Sequence, residues 1–187
     1  MPIDIVLTDE LKKSADNHSK RRMSFEYDRF HLSDDKRRSM ILIGTIGQLA
    51  FKEFLDKNAI KYDYQLQAGN YDDFDFKINE EIYEIKCSGY DASSQYKYNR
   101  LNLLYSRDQF LAGLNKKFKY CVQLFVDGYN IQTKLLNLYA CTHVTIYGYI
   151  PFQDISNYPN QAHFYGDDYK VPLRRLLDIE KLLGLKK

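Results

Sequence analysis

The chain has 187 residues, of which 44% are hydrophobic and 28% are charged, and its formal net charge is +2. This length lets one domain bury a core without disulfides, and the composition excludes a low-complexity chain. Because the net charge is small, charge alone does not indicate a nucleic-acid-binding protein, and local patterns must decide.

Two helices are predicted in the first third of the chain. Thr8 is a suitable N-cap for a helix that ends near Arg22, and Ser33 can cap a second helix. Between residues 40 and 55 the apolar side chains recur at helical spacing, which extends the second helix through that range.

Three strands are predicted to follow these helices. Residues 62–67 alternate, and YDDFDFKINEEIYEIKCS, residues 71–88, contains two further alternating runs, of which the second ends at Cys87. Gly44 and Gly47 weaken the preceding helix intrinsically, so we expect them to allow close approach of this sheet.

The second half of the chain adds a helix, two strands and a terminal helix. After a predicted loop at 88–95, Ser106 caps the next helix, and the apolar runs at 119–126 and 142–150 are predicted strands. Pro172 suits the first turn of a C-terminal helix. This order predicts a mixed α/β fold with a central mixed β-sheet flanked by helices.

The cysteines and the terminus indicate the compartment. The three cysteines match no zinc-binding spacing, and their odd number argues against a closed disulfide set. We therefore expect reduced, buried thiols at Cys87, Cys121 and Cys141. No signal peptide is visible and no apolar stretch is long enough to cross a membrane, so we expect a cytoplasmic protein with no membrane partner.

The stretch at 71–88 is predicted to form a hairpin with one charged face. With Asn79 and Glu80 as a two-residue loop, position 78 lies opposite 81 and position 75 opposite 84. One face is then apolar and consists of Phe74, Phe76, Ile78, Tyr83 and Ile85. The other face carries the charged residues Asp73, Asp75, Glu84 and Lys86.

These charges suggest a metal site. Asp75 beside Glu84 is an unfavourable like-charge pair unless a cation lies between the two carboxylates. Mg²⁺ suits this arrangement, because it takes one or two protein carboxylates and completes its shell with water and substrate phosphate. Lys86 can orient or deprotonate an attacking water, or stabilise charge on a scissile phosphate. A solvated sheet face with a salt-bridged lysine is the alternative, and it stays open.

The motif and its surroundings resemble a known family. Asp75-Phe-Lys-Ile-Asn, followed by Glu84-Ile-Lys86, resembles the PD-(D/E)XK motif of nucleases with the restriction-endonuclease-like fold. Residues 39–126 also resemble that fold in the order of their elements, which is a helix, a strand, the motif hairpin, a helix and a further strand.

The resemblance implies both a domain plan and a set of site residues. Asp75 and Glu84 would bind the metal, Lys86 would be the catalytic lysine, and the main-chain carbonyl of Ile85 would complete the metal site. The chain would form a single domain with a restriction-endonuclease-like core at about 39–150, an N-terminal helical extension at 1–38 and a C-terminal helical extension at 151–187.

This chain departs from the family pattern at several positions. Phe74 stands where the motif has proline. Asp73 has the same strand parity as Asp75 and is a rival first metal ligand, but we prefer Asp75 because it lies opposite Glu84. Gln48 occupies the helix position where relatives often carry glutamate. Its amide can hold a metal-bound water, but because the amide is neutral, this position gives less support for a second metal ion.

A second set of residues is predicted to contact nucleic acid. The segment QYKYNRLN, residues 95–102, interleaves basic and aromatic side chains, which suits contact with phosphates and bases; a polar surface loop is the alternative. Arg107, a cation at the start of a predicted helix, is a weaker candidate, since its charge opposes the helix dipole. The candidates are Lys97, Tyr98, Asn99, Arg100 and Arg107.

The expected function is that of a Mg²⁺-dependent DNA endonuclease, with Mn²⁺ as a substitute cation, in restriction, phage DNA processing or repair. Duplex DNA is the favoured partner and RNA a less favoured one. A homodimer would place two active sites on the two strands. The alternative is a catalytically silent nucleic-acid-binding or protein-interaction module on the same fold.

Overall fold

The computed structural model describes residues 2–24, 32–65, 74–92, 101–163 and 166–185. The helices are α1 (Asp9–Arg22), α2 (Asp34–Lys57), α3 (Arg107–Asn115) and α4 (Ile179–Leu182). The strands are β1 (Ile3–Val6), β2 (Asp63–Tyr64), β3 (Phe76–Ile78), β4 (Glu81–Gly89), β5 (Asn102–Ser106), β6 (Tyr120–Val126), β7 (Tyr129–Asn130), β8 (Leu135–Leu136), β9 (His143–Pro151), β10 (Asn160–His163) and β11 (Gly166–Pro172).

The described strands form a central six-stranded sheet and two smaller sheets. The central order is β1-β9-β6-β4-β3-β2, in which β4 and β6 run parallel and the other neighbours run antiparallel. A three-stranded sheet has the order β10-β11-β5, and β7 pairs with β8. Helix α2 packs against β4, β6 and β9. The expected mixed α/β fold, with a central mixed sheet flanked by helices, is confirmed.

Helix α2 covers one face of the central sheet. Its Phe51 ring meets the Phe76 ring edge-on, with 5.1 Å between the centroids, and both side chains are buried. A Cβ added at Gly47 would lie 2.3 Å from the Cβ of Cys87 in β4. The predicted close approach is therefore confirmed at Gly47. It is wrong at Gly44, where an added Cβ would have no neighbour within 4 Å.

A second layer covers the opposite face of the central sheet. Leu103 and Tyr105 of β5, Phe110 of α3 and Phe152, at the start of a short 3₁₀ helix, pack with Cys121 of β6 in a separate apolar core. The middle of the sheet is therefore buried on both sides, as the apolar character of 119–126 predicts.

The hairpin register agrees with the sequence prediction. β3 and β4 pair antiparallel, with Ile78 opposite Glu81. The turn residues Asn79 and Glu80 have φ of 50° and 65°, as a type I′ hairpin turn requires. The apolar face of the hairpin is buried against α2 and consists of Phe76, Ile78, Tyr83 and Ile85.

Several strand predictions are incomplete. Of the predicted strand 62–67, only Asp63–Tyr64 forms a strand among the described residues. The strand predicted to end at Cys87 continues to Gly89, because its last residues pair with β6, so the following loop begins later than expected. The sequence patterns do not predict β1, β5, β7, β8, β10 or β11.

The helix predicted from Pro172 is wrong. Pro172 is the last residue of β11. Leu177 then exchanges main-chain hydrogen bonds of 3.0 and 2.7 Å with Tyr149 of β9, so the chain is extended there, and α4 begins only at Ile179. Leu173 lies in a short 3₁₀ helix, Leu177 is 49% exposed, and of the described residues after Pro172 only Ile179–Leu182 is α-helical, so the expected long amphipathic helix is not formed. The division into a core at 39–150 and two extensions stays a prediction.

Two expectations from composition concern the thiols and the membrane. All three cysteines are free, as expected; Cys121 and Cys141 are buried, whereas Cys87 is only half-buried. Among the helices of the described ranges, none is both long and apolar enough to cross a membrane.

Candidate functional site

Asp75 closes the open end of the β3–β4 hairpin. It directly precedes β3 and is buried, and its Oδ2 accepts the N–H of Ile85 at 2.7 Å. This N–H lies beyond the last ladder pair, Phe76 with Tyr83. A buried main-chain donor needs a partner, and the Asp75 carboxylate supplies it where the main chain of β3 ends.

Gln48 reaches the same carboxylate from α2. Its Nε2 donates to Oδ1 of Asp75 at 2.5 Å. The absence of a side chain at Gly47, the preceding residue, lets the helix come this close to β4. The Oε1 of Gln48 is buried and finds no hydrogen-bond donor among the described residues. Leaving such an acceptor unpaired is unfavourable, and a cation or a bound water beside Asp75 would satisfy it.

The side chains of Glu84 and Lys86 in β4 contact residues of the second layer. Lys86 Nζ is 3.0 Å from Oε1 of Glu84 and donates to Oε1 of Gln109 at 3.5 Å. The Tyr105 hydroxyl donates to Oε1 of Glu84 at 3.2 Å, and Lys86 Nζ lies 4.5 Å from the centre of the Tyr105 ring. We call these four residues of β4, β5 and α3 the Glu84 cluster.

Burial and charge set the protonation states in the Glu84 cluster. Burial is the largest single effect and disfavours the Lys86 ammonium, but Glu84 together with Cys121 and Asp75 outweighs it, so the pKa of Lys86 is raised. The Asp75 carboxylate acts in the same direction and is therefore within electrostatic reach of Lys86. Burial first, then Glu84, raises the pKa of the Tyr105 phenol. At neutral pH the cluster thus contains a charged lysine and a protonated tyrosine.

The main chain of Ile85 connects the two halves of the site. A strand residue directs its N–H and C=O to the same side. Because the N–H of Ile85 meets Asp75, its carbonyl oxygen also opens toward the β3 side. The Asp75 carboxylate and this carbonyl therefore share one edge of β4, with Glu84 next to Ile85 in the chain.

All of these groups are oxygen donors, which Mg²⁺ prefers. The described residues contain no group of three or more His, Cys, Asp and Glu side chains that could hold a metal. A cation here would therefore rely on two carboxylates, a carbonyl and water, a ligand set that Mg²⁺ commonly uses.

The structure also shows where the other predicted site residues lie. Arg107 is exposed and is the first residue of α3, two residues or about half a helical turn before Gln109 of the Glu84 cluster. Five predicted residues fall outside the described ranges: Asp73, Lys97, Tyr98, Asn99 and Arg100. The choice of Asp75 over Asp73 as the first ligand stays a prediction.

In comparisons with protein-family models, curated proteins and solved structures, nothing matches this chain. Its function must therefore be inferred from the residues and contacts of the site.

Two members of the Glu84 cluster were absent from the predicted site. Tyr105 belongs to β5, and the alternation in Asn102–Ser106, with Leu103 and Tyr105 buried, is the signal that indicates this strand. Gln109 follows the Ser106 cap by three residues, and its N–H donates to the Ser106 hydroxyl at 3.3 Å. No local pattern indicates that either side chain reaches β4.

Proposed function

We propose that the protein is a divalent-metal-dependent nuclease with a restriction-endonuclease-like core that hydrolyses phosphodiester bonds in DNA. The observation that carries the proposal is the hairpin register, which holds the Asp75 carboxylate at Ile85, between Glu84 and Lys86 in the chain. In this proposal the two carboxylates and the charged lysine act together at this end of the hairpin, as metal-assisted phosphodiester hydrolysis requires.

The residues present fit a hard divalent cation. Asp75, Glu84 and the Ile85 carbonyl offer oxygen ligands, and the unpaired Oε1 of Gln48 is a further buried acceptor beside Asp75. Mg²⁺ bound there would supply Lewis acidity at the scissile phosphate and lower the pKa of a bound water. Mn²⁺ also suits carboxylate, carbonyl and water ligands and would replace it.

Lys86 supplies a positive charge in this proposal. Its raised pKa favours the protonated ammonium in the metal-free protein. An ammonium held 3.0 Å from Glu84 can stabilise the negative charge that develops on the phosphate oxygens.

Plasmid cleavage tests the proposal. Purified protein is incubated with supercoiled plasmid in Mg²⁺, in Mn²⁺ and in EDTA, alongside the variants Asp75→Asn, Glu84→Gln and Lys86→Met. We expect nicking or linearisation with either metal and none in EDTA. Each variant removes a charge from the reacting centre, so the rate should fall about a hundredfold or more.

A matched control lies on the same hairpin. Glu80 is in the turn, its side chain is 87% exposed, and its ion pair is with Lys77. Glu80→Gln should therefore cleave at the wild-type rate. Folded wild-type protein that binds no Mg²⁺ and leaves plasmid, branched DNA, single strands and RNA intact would contradict the nuclease proposal.

A catalytically silent binding module is the second candidate. The observation that favours it is that Oε1 of Glu84 already accepts from Tyr105 and pairs with Lys86. Gln48, at the position where the family often has glutamate, favours it as well. This candidate predicts nucleic-acid binding in a gel-shift assay with no cleavage in any metal.

A further inference from the structure

An open cavity of about 260 Å³ lies at the end of β4. It differs from the Glu84 cluster in its lining, which combines apolar side chains with two neutral polar ones and has no charged residue among those that the structure describes. The lining residues are Ser88, Gly89, Leu101, Asn102, Leu104 and Phe125.

Strands β4 and β5 contribute residues both to the Glu84 cluster and to the cavity. Tyr105 contacts Glu84 in the cluster, whereas Asn102 and Ser88 both line the cavity. The two strands therefore pass each other in opposite directions. By strand alternation Ser88 lies on the same face of β4 as Lys86, about 7 Å further along.

The lining suits a flat ring with a polar edge. Leu104 is 43% exposed, so its side chain offers apolar surface to a ligand, and the buried Phe125 also lines the cavity. The Asn102 amide can both donate and accept, and the Ser88 hydroxyl accepts from Gln123 Nε2 at 3.4 Å, which orients it. Leu101 and Asn102 also end the basic and aromatic segment QYKYNRLN.

We propose that this cavity binds an unpaired nucleobase of the strand whose phosphate lies at Lys86. This inference rests on the proposed nuclease function and narrows its substrate to single-stranded or locally unpaired DNA. In a duplex each base is paired and stacked, so it cannot enter this cavity unless it leaves the stack. An unpaired base presents both its face and its polar edge.

Oligonucleotide binding in EDTA, where no metal-dependent cleavage occurs, tests the cavity. Fluorescence anisotropy compares a labelled single-stranded DNA with the matched duplex. Leu104→Trp fills the cavity from an exposed position, and we expect it to weaken single-strand binding about tenfold, as loss of one stacked base would. Duplex binding should not change. Leu111→Trp is the matched control, because Leu111 of α3 is 49% exposed and lies outside the cavity lining.

A second probe separates the contribution of the bases to binding from that of the phosphates. A strand of abasic nucleotides keeps the phosphates and lacks every base. We expect wild-type protein to bind it about as weakly as Leu104→Trp binds the normal strand. Asn102 is exposed, and Asn102→Ala removes its amide from the cavity lining. This variant should also weaken binding of the normal strand. Thermal unfolding establishes that each variant is folded.

The outcomes separate this inference from the nuclease proposal. Equal affinity of wild type, Leu104→Trp and Asn102→Ala for the single strand overturns the base site, even if plasmid is cleaved. Selective loss of single-strand binding in these variants, without metal-dependent cleavage of any nucleic acid, supports the base site and overturns the nuclease function. Tighter binding of the abasic strand than of the normal strand overturns the base site as well.

Discussion

At the scale of single residues, Tyr105 determines how the charged pair on β4 is held. Its hydroxyl donates to Glu84 while its ring lies beneath the Lys86 ammonium, so one side chain contacts both members of the pair. Its ring also meets Phe152 edge-on, with 5.4 Å between the centroids, which fixes Tyr105 in the second core. Tyr105 is therefore a positioning residue in the proposed reaction.

Tyr105→Phe separates these roles, because it removes the hydroxyl and keeps the ring. A hydrogen bond to a charged group contributes about 1.5–3 kcal/mol, so the single-turnover rate of DNA cleavage should fall about tenfold to a hundredfold with little change in the DNA concentration needed for half-maximal rate. The rate should fall further in Tyr105→Leu, which also removes the ring under Lys86. Tyr169→Phe, in the same apolar core, is the control. A wild-type rate in Tyr105→Phe would show that the hydroxyl positions nothing.

At the scale of elements, the contact between α2 and β4 joins the fold to the site. Gly47 packs on Cys87, and the next residue, Gln48, donates to Asp75. Any side chain at 47 would push the helix away from the strand and take the Gln48 amide out of reach. Packing and chemistry therefore depend on the same turn of helix.

Two alanine substitutions in α2 test this dependence. Gly47→Ala should lower the free energy of unfolding by about 1–3 kcal/mol, because overpacking outweighs the better helix propensity of alanine. Gly44→Ala has open space around it and should raise the same quantity by up to about 1 kcal/mol. Denaturant unfolding measures both. A stabilised Gly47→Ala protein would show that α2 can move off β4 without strain.

The site is only partly predictable from sequence, because some of its contacts join elements that are distant in the chain. The hairpin register followed from alternation and a two-residue turn, which are local signals. Tyr105 reaches Glu84 across two layers of structure, and no period within one strand encodes that contact. The C-terminal leucines have helical spacing, yet Leu177 pairs with Tyr149, so a distant strand overrides the local preference.

At the scale of the whole molecule, Asp16 links the first helix to the rest of the chain. Its carboxylate pairs with Lys20 at 2.7 Å and with Arg38 of α2 at 2.5 Å, and its side chain is 22% exposed. Burial alone would raise the pKa of Asp16, but Lys20 and Arg38 outweigh it and the pKa is lowered. The folded state therefore gains stability from ionised Asp16 at a pH above the unfolded value of 3.8.

Asp16→Asn should therefore destabilise the protein in a pH-dependent way. We expect the free energy of unfolding to fall by about 0.5–1 kcal/mol at pH 7. The difference from wild type should shrink as the pH falls below 3.8 and through the lowered pKa of the folded state. Urea unfolding at neutral and acidic pH measures this, with exposed Asp63→Asn as the control. A difference that persists at low pH would assign the effect to packing instead of charge.

The parallel pairing of β4 with β6 has a consequence for how the protein is made. Parallel neighbours require a crossover, and here the chain leaves β4 at Gly89 and returns at Tyr120 by way of β5 and α3. A growing chain that has just passed Lys86 carries both proposed metal-binding carboxylates, but neither β6, the parallel neighbour of β4, nor Tyr105. We therefore expect the protein to stay inert toward nucleic acid until well over half of it has left the ribosome.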